Sequence, residues 1–410
     1  MSEHVLLTLG RLPKGLELAR ALHKAGLTVH VADPWGWHLS RPSRAVAFTH
    51  RTPAPNNDPQ GYAATLKELI ARYGIKKVFP ISEEILHVAN SDTSASLFAP
   101  DLHTLQKLHD KLAFIEDARS AGLTVPATYA ANTPEAAALA QQTPYIIKPR
   151  NGCSGHRFQR YSRNSAIPTS ERQSDLLVQR QVTGEEVSSF CIARDGVVLG
   201  SVVYRGRILA GTVACCFEQV SHRAADQWTK KFVGALGLTG FFGFDFIVDD
   251  NGTPWPLECN PRLTSGIHFM NADDLTAAVV DDGFRGKIRL SPTKMMMEGH
   301  TSLTIAYKDL LRPRKYLATL STMARSEDVL FRLRDPAPFF LMTPMSWRIL
   351  SGAVLKRRSF GQTATDDIVW TESISNDNRQ EDVSIAEEND AEAHPIKTEV
   401  RKELHVAHGT

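Results

Sequence analysis

The residues whose types best support chemistry are the acids Asp245 and Glu258, the amide Asn260 and the guanidinium group of Arg262. Both acids interrupt apolar stretches, and a half-buried carboxylate is costly unless a cation or a hydrogen bond compensates its charge. Two carboxylates beside an amide favour a hard cation, because Mg²⁺ prefers these oxygens together with those of a substrate phosphate. Arg262 would face the same phosphates. The pattern predicts Mg²⁺, or Mn²⁺ in its place, held beside a phosphate-bearing substrate.

A β-hairpin is predicted to hold these acids. Residues 241–248 are apolar and rich in aromatic and β-branched side chains, residues 249–252 read Asp-Asp-Asn-Gly, and residues 254–257 resume the apolar pattern. This is strand, turn and strand chemistry. On such a hairpin Asp245 and Glu258 would lie opposite each other.

A second group of residues, further upstream, is suited to binding phosphate. Lys148 ends the strand-like run 145–149, and a loop containing Gly152, Ser154 and Gly155 follows it. Two glycines let backbone N–H groups turn toward one anion, while the lysine supplies a point charge. The loop is not a Walker loop, because no G-K-[ST] follows. A plain hairpin loop stays open as the alternative.

Together these motifs resemble the ATP-grasp superfamily, in which an Asp on one strand and a Glu-x-Asn on the next hold the magnesium ions of MgATP. Asp245, Glu258 and Asn260 have the spacing of that family's D-alanine ligase branch. The resemblance covers roughly residues 1–290. It implies that MgATP binds between two α/β lobes.

The resemblance also implies a set of nucleotide contacts. Lys111, in a helix predicted over residues 105–121, and Lys148 would bind phosphates, beneath a lid formed by Gly152, Ser154 and Gly155. The stretch 176–188 resembles the hinge strand over adenine, which implies nucleotide roles for Gln179 and Glu186. Arg180 stands where the family commonly has Glu. This departure leaves the adenine contacts open, with backbone groups as an alternative.

Several segments must position these groups. Residues 1–100 alternate strand and helix patterns, which predicts a small open α/β sheet. Its first strand–turn–helix unit ends at Asp33, but GRLPKG is not G-x-G-x-x-G, so a dinucleotide site is disfavoured. Ser82, Glu83 and Glu84 end a later strand, where such sheets bind ligands, although an N-cap followed by first-turn acids is an equal alternative.

The predicted organisation has four parts, and its fold class is α/β. An open parallel domain over residues 1–100 precedes an ATP-grasp domain over 101–290. A mostly helical extension over 291–370 and an acidic disordered tail over 371–410 follow, because the tail lacks aromatics and is rich in polar residues. In the extension we favour packing against the body over a membrane surface, since Pro336, Pro338 and Pro344 break a continuous amphipathic face.

On the substrate side the predictions are weaker. Arg205 or Arg207 would hold a substrate carboxylate, although exposed surface arginines are the favoured interpretation. Ser265 and Gly266 would face the transferred phosphate, whereas we expect His268 to make an ordinary local contact.

Composition excludes other classes of function. The formal net charge of +2 comes from scattered, balanced residues, so we expect no nucleic-acid partner. The five cysteines form no C-x-x-C pair and are expected to be free thiols. The sequence shows neither a secretory signal nor an apolar run of about 18 residues, which favours the cytoplasm.

The sequence therefore predicts an ADP-forming ligase that joins a small-molecule carboxylate to an amine through an acyl phosphate, with Lys148 and Arg262 in catalytic roles. An enolic oxygen activated for amino-acid attachment is one alternative, since residues 258–262 loosely resemble ATP-grasp ligases of specialised metabolism. A non-catalytic ATP-binding regulator is another, and a membrane-surface scaffold a third. The family's ligases are often dimers, so a homodimer also stays open.

Overall fold

Alternating apolar strands and helices form a parallel sheet at the start of the chain. The computed structural model describes residues 2–152, 159–210, 213–356 and 360–370. The elements are β1 (His4–Leu7), α1 (Pro13–Lys24), β2 (Thr28–Asp33), β3 (Phe48–Arg51), α2 (Pro59–Tyr73), β4 (Lys77–Phe79), α3 (Ile85–Asn90) and β5 (Ser96–Leu97). The strand order is β3-β2-β1-β4-β5, and every neighbouring pair is parallel. The loops after β1 and β4 therefore leave the sheet at the same edge.

The predicted single helix over residues 105–121 is two helices. They are α4 (Leu102–His109) and α5 (Lys111–Ser120). Asp110 between them is extended, and its side chain accepts hydrogen bonds from the backbone N–H groups of Leu112 and Ala113. An aspartate that caps a helix in this way satisfies donors that have no partner within the helix, so it starts a new helix rather than continuing the old one.

A four-stranded antiparallel sheet follows. Its elements, with the helix between them, are β6 (Thr128–Ala130), α6 (Pro134–Gln142), β7 (Tyr145–Pro149), β8 (Gln159–Tyr161) and β9 (Leu176–Arg180), in the strand order β6-β9-β7-β8. The predicted strand that ends in Lys148 is β7, and it lies between β9 and β8. This sheet forms one of the two predicted lobes.

The other lobe is a seven-stranded sheet. Its elements, with the helices between them, are β10 (Glu185–Arg194), β11 (Val197–Ala210), β12 (Val213–Val220), α7 (Arg223–Ala235), β13 (Gly240–Val248), β14 (Pro254–Asn260), α8 (Ala272–Val280), β15 (Met295–Met297) and β16 (Glu327–Asp328). The order is β14-β13-β10-β11-β12-β15-β16. Residues 292–298 were expected to be helical, but β15 pairs with β12 and so extends this sheet.

The two faces of the large sheet have different environments. Phe242, Phe244 and Phe246 point to an aromatic cluster with Phe114 of α5 and Trp228 of α7. Because side chains alternate along a strand, Asp245 points to the opposite face. That face packs against the turn Ser265–Phe269, which in turn contacts α1 of the first domain, and it leaves a polar region around Asp245.

The remaining described helices are α9 (Gly299–Lys308), α10 (Pro313–Ala324), α11 (Ala337–Lys356) and α12 (Phe360–Thr365). The expectation that prolines interrupt this region is wrong at Pro344, which lies inside α11. No described helix has the length and apolarity needed to cross a bilayer. The predicted tail over residues 371–410 lies outside the described residues.

Candidate active site

The predicted pair of acids lies face to face. Asp245 on β13 is in register with Glu258 on β14, which confirms the hairpin. The Oδ1 atom of Asp245 accepts a 2.6 Å hydrogen bond from the hydroxyl of Ser188 on β10. Its Oδ2 atom accepts a 3.0 Å hydrogen bond from the amide of Asn260. The three residues predicted to hold metal are therefore adjacent on one sheet edge.

The electrostatics of the pair fit a bound cation. Burial, with the neighbouring charge of Glu258, raises the pKa of Asp245 to about 7. Burial also opposes ionisation of Glu258, but Lys111 and Lys148 hold its pKa below the ordinary value. A divalent cation between the two carboxylates would relieve this repulsion, and phosphate oxygens commonly complete such a shell. The described residues contain no group of three or more His, Cys, Asp and Glu side chains suited to a metal. A substrate phosphate would therefore have to supply further ligands.

A chain of hydrogen bonds joins Asn260 to the first domain. The Nη2 atom of Arg262 donates to Oδ1 of Asn260 over 2.9 Å, and its Nε atom donates to Oε1 of Glu83 over 2.6 Å. Glu83 is 4% exposed and follows β4. Arg262 therefore reaches the edge of the parallel sheet at which sheets of this kind bind ligands. Its partner there is Glu83, for which the sequence left two interpretations open, a ligand contact and an acid in the first turn of a helix.

Glu84 has a different role from its neighbour. Its carboxylate accepts hydrogen bonds from the backbone N–H groups of Ile81 and Ser82 and from the hydroxyl of Thr8. It is fully buried. These contacts lie within the first domain, so Glu84 holds the turn that presents Glu83.

Lys111 lies at the centre of the site because of the break between α4 and α5. As the first residue of α5 it is buried, and its Nζ atom donates to the carbonyl of Gly152 over 2.6 Å. The same atom is 3.3 Å from Oε2 of Glu258. Arg150 anchors the break through a 2.6 Å ion pair with Asp110. Lys111 thus connects the glycine loop to the hairpin that carries Asp245 and Glu258.

Lys148 approaches the same hairpin from the smaller sheet. It is 8% exposed, and its Nζ atom donates to the carbonyl of Leu257 over 2.9 Å. Burial, followed by repulsion from Lys111, lowers its pKa to about 7. A phosphate that binds beside this ammonium group would stabilise its charged form, because the phosphate is an anion.

The glycine loop is described only in part. Gly152 has a φ of 102°, a left-handed conformation that disfavours any side chain. Ser154 and Gly155, the other predicted lid residues, lie outside the described residues. Of the three predicted lid residues, Gly152 is therefore the one that lies within the described part of the chain.

The predicted hinge residues differ in their surroundings. Glu186 on β10 is exposed, and its charge contributes to raising the pKa of Asp245. Gln179 is buried, and its amide donates to the hydroxyl of Thr128 on β6, so its side chain stabilises the smaller sheet. Arg180 stacks over the ring of Trp255 at 4.5 Å.

The structure shows what surrounds the residues that were predicted to lie on the substrate side. Arg205 pairs with Glu218 at 2.8 Å and also with Glu185, so it lies in a surface ion-pair network. Gly266 packs so closely that a Cβ atom there would lie 2.2 Å from Phe190. This requirement for glycine is one of packing. His268 lies 3.2 Å from Glu17 of α1, so it has a partner as expected, but that partner lies in the first domain and is not local.

Sequence reasoning missed further polar groups beside Asp245. Tyr204 on β11 is buried and donates to the hydroxyl of Thr264 over 3.1 Å. Burial and the charge of Asp245 raise its pKa to about 12. Lys14 of α1 donates to the carbonyl of Leu263 over 2.6 Å. The one available signal was the strand period, since Ser188 and Tyr204 occupy positions on the same face as Asp245.

Comparison with known families supports the resemblance. Residues 108–266 match the sequence profile of the ATP-grasp domain. The predicted metal, nucleotide and catalytic residues, from Lys111 to Arg262, fall within this segment, whereas Ser82, Glu83, Glu84 and His268 lie outside it. The family match therefore applies to this segment, which is less than half of the chain. A search of curated protein sequences gives no match.

Solved structures share the fold over most of the chain. N5-carboxyaminoimidazole synthetase from Staphylococcus aureus, complexed with ADP, aligns with a TM-score of 0.59 at 16% identity and covers 76% of this chain and 87% of its own. L-amino acid ligase from Bacillus licheniformis aligns with a TM-score of 0.55 at 15% identity, covering 72% and 78%. The biotin carboxylase domain of 2-oxoglutarate carboxylase from Hydrogenobacter thermophilus, with MgADP and bicarbonate, aligns with a TM-score of 0.56 at 15% identity, covering 71% and 73%. At these identities the similarity shows the fold, and the predicted α/β ATP-grasp class is confirmed.

Proposed function

We propose that this protein is an ADP-forming ligase that joins a carboxylate to an amine through an acyl phosphate. The observation that carries the proposal is the convergence of Lys111 and Lys148 on the Asp245–Glu258 hairpin, at an edge that Arg262 connects to the first domain. Three cations and two acids around one cleft suit a polyphosphate with its metal. The solved structures whose names include a ligase or a carboxylase share this fold.

Each of these residues would have its own role in binding the nucleotide and its metal, set by its position. Lys148 and Lys111 would neutralise the nucleotide phosphates, and Arg262 would face the phosphoryl group that is transferred. Asp245, Glu258 and Asn260 would hold Mg²⁺, or Mn²⁺, which neutralises charge on the phosphate oxygens when bound. Such transfer depends on positioning and electrostatic stabilisation, so no protein nucleophile is needed.

The acceptor would bind beside the Arg262–Glu83 pair, at the carboxyl edge of the parallel sheet. Its carboxylate oxygen attacks the γ-phosphorus, the bond to the β-phosphate oxygen breaks, and ADP leaves. The amine then attacks the acyl carbon and displaces phosphate. Lys14 and Glu83 line the first-domain side of this region, while Gly152, with Ser154 and Gly155, would cover the phosphates and exclude water. The division at residues 100, 290 and 370, a homodimer and a cytoplasmic location are further parts of the proposal.

The test is the nucleotide product formed from MgATP with pooled carboxylates and amines. We expect ADP and phosphate that depend on the pool, and a loss of at least about 100-fold in Glu258→Gln, as for other electrostatic groups of active sites. Asp250→Asn, in the exposed turn of the same hairpin, is the matched control and should retain activity. AMP and pyrophosphate would contradict the acyl phosphate. Tight nucleotide binding without turnover on any acid of the pool, or on enols added to it, would favour a regulatory protein.

A further inference from the structure

Helix α11 is apolar on two opposite faces. One face packs against the body through buried Met342, Met345 and Ile349. The other face exposes Phe340, Pro344 and Trp347 at helical spacing, and Phe340 and Trp347 are 66% and 67% exposed. The buried face agrees with the packing predicted from the sequence. The exposed face is unexpected, since a surface helix normally turns polar residues to solvent.

The neighbouring helices carry a similar surface. Helix α9 packs against both α10 and α11. It exposes Leu303 and Tyr307 one turn apart, and Leu310 and Leu311 follow at its end, the latter 95% exposed. Helix α10 has no buried residue and exposes Leu317. We call the exposed apolar residues of α9, α10 and α11, together with the basic residues between them, the C-terminal face.

The charge on this face is basic. Arg312, Arg314, Arg325 and Arg334 are exposed, and none of them forms an ion pair with a described residue. The acids of the same segment are already engaged. Asp309 pairs with Lys315, Glu327 with Arg332 and Asp335 with Arg20, while Asp328 accepts the backbone N–H of Leu330.

We propose that the C-terminal face binds an anionic lipid surface. Exposed Phe, Trp and Leu side chains on helices, alternating with arginines, are the composition that inserts rings at the headgroup level and places guanidinium groups beside lipid phosphates. A second copy of this chain is a poorer occupant, because a two-fold interface would bring the unpaired arginines of both copies together. The proposal is independent of the ligase activity and concerns a peripheral contact, since none of these helices spans a bilayer.

The experiment is flotation of the full-length protein with vesicles. We compare phosphatidylcholine alone with phosphatidylcholine containing phosphatidylserine, each at low and high salt. Binding is expected with the anionic vesicles at low salt, and it should fall by at least about 10-fold with neutral vesicles or at high salt, because salt screens the arginines. Binding that is equal on both vesicles, or no binding to either, would overturn the proposal.

Two sets of variants identify the face. Phe340→Ser with Trp347→Ser should abolish flotation, and replacing the four unpaired arginines with Gln should remove its salt dependence together with most of the binding. The matched control is Val197→Ser with Leu209→Ser, two exposed apolar residues of β11, which should float like the parent. Because all these side chains are exposed, thermal unfolding should be unchanged. A dimer that dissociates in the Phe340/Trp347 variant, without vesicle binding by the parent, would overturn the proposal in favour of contact between copies.

Discussion

Arg262 donates its Nε hydrogen to Oε1 of Glu83 over 2.6 Å, which joins the Asp245–Glu258 hairpin to the loop after β4 of the first domain. Both side chains are largely buried. The same guanidinium also holds Asn260, which in turn holds Asp245. A substitution at Glu83 should therefore alter the position of Arg262 and, through it, the proposed phosphate site.

We predict that Glu83→Ala lowers kcat by about 10-fold or more while the affinity for ATP changes little. The reason is that supporting residues which orient a ligand-holding group commonly contribute at this level. Steady-state kinetics with nucleotide and acceptor varied separately would check it. Glu84→Ala provides the contrast, because it leaves buried N–H groups without an acceptor and should cost about 3 kcal/mol of unfolding free energy. A Glu83→Ala protein with unchanged kcat would show that Arg262 needs no support.

Lys148 gives a prediction about protons. Its pKa of about 7 in the nucleotide-free protein means that part of the population is neutral at neutral pH. Bound phosphate favours the charged form, so nucleotide binding should take up protons at Lys148 and weaken as the pH rises above 7. Calorimetry of ADP binding without metal, in buffers of different ionisation enthalpy, measures this uptake.

The control for that experiment is Lys148→Gln, which should lose most of the proton uptake and bind ADP more weakly. Lys107→Gln is the matched surface change, since Lys107 pairs with Asp117 on the neighbouring helices. An uptake of protons that persists in Lys148→Gln would assign it to another group.

Local patterns predicted much of the fold and part of the site. The register of Asp245 with Glu258 followed from the turn chemistry and the two-residue period of strands, both of which act over a few residues. The break before Lys111 was missed although Asp110 is a strong helix-capping residue, because the apolar spacing of α4 and α5 reads as continuous.

Long-range contacts could not be predicted in the same way. Glu83 contacts Arg262 only because two domains pack together. No sequence periodicity or motif spacing predicts a contact between residues so far apart in the chain. The roles of two glycines could not be predicted either, and the reason is again long-range packing. Gly184, which matches the family hinge, is required because a Cβ atom would lie 1.9 Å from the carbonyl oxygen of Val248, and Gly266 is required by Phe190. In both cases the requirement comes from packing, so a glycine's place in a motif does not tell whether it approaches a ligand.

Asp367 gives a prediction about stability. Its carboxylate pairs with Arg11 at 2.7 Å, and Arg11 also pairs with Asp33 at the end of β2. Asp33 is thereby engaged by the chain itself, in agreement with the disfavoured dinucleotide site. Because Arg11 is buried but keeps its ion pair with Asp33, we predict that Asp367→Asn costs about 1.5 kcal/mol of unfolding free energy, as for the loss of one hydrogen bond to a charged group.

Denaturant unfolding would measure this cost. The matched change is Asp273→Asn, whose ion pair with Lys24 is exposed on both sides, and it should alter stability by less than about 1 kcal/mol. Equal effects of the two substitutions would mean that the contact between Arg11 and Asp367 does not hold the C-terminal segment in solution.

The last prediction concerns acid stability and a row of histidines on the first sheet. His30 lies between His4 and His50, with ring nitrogens 2.9 Å and 3.0 Å apart, and packs against Tyr73 and Phe48. Burial, followed by repulsion from His50 and His4, lowers the pKa of His30 from 6.5 to about 4. Between these values the unfolded chain binds more protons than the folded one, so His30 makes stability fall as the pH drops from 6.5 to 4.

We expect His30→Gln to make the loss of unfolding free energy over this range shallower, by at most about 1.4 kcal/mol per pH unit for one proton. His87, whose pKa burial also lowers to about 4, would keep part of the slope. Thermal unfolding at a series of pH values measures the effect, with His23→Gln on the exposed end of α1 as the matched control. If both variants keep the parent slope, His30 does not take up a proton on unfolding, and the acid sensitivity lies with the other buried histidines.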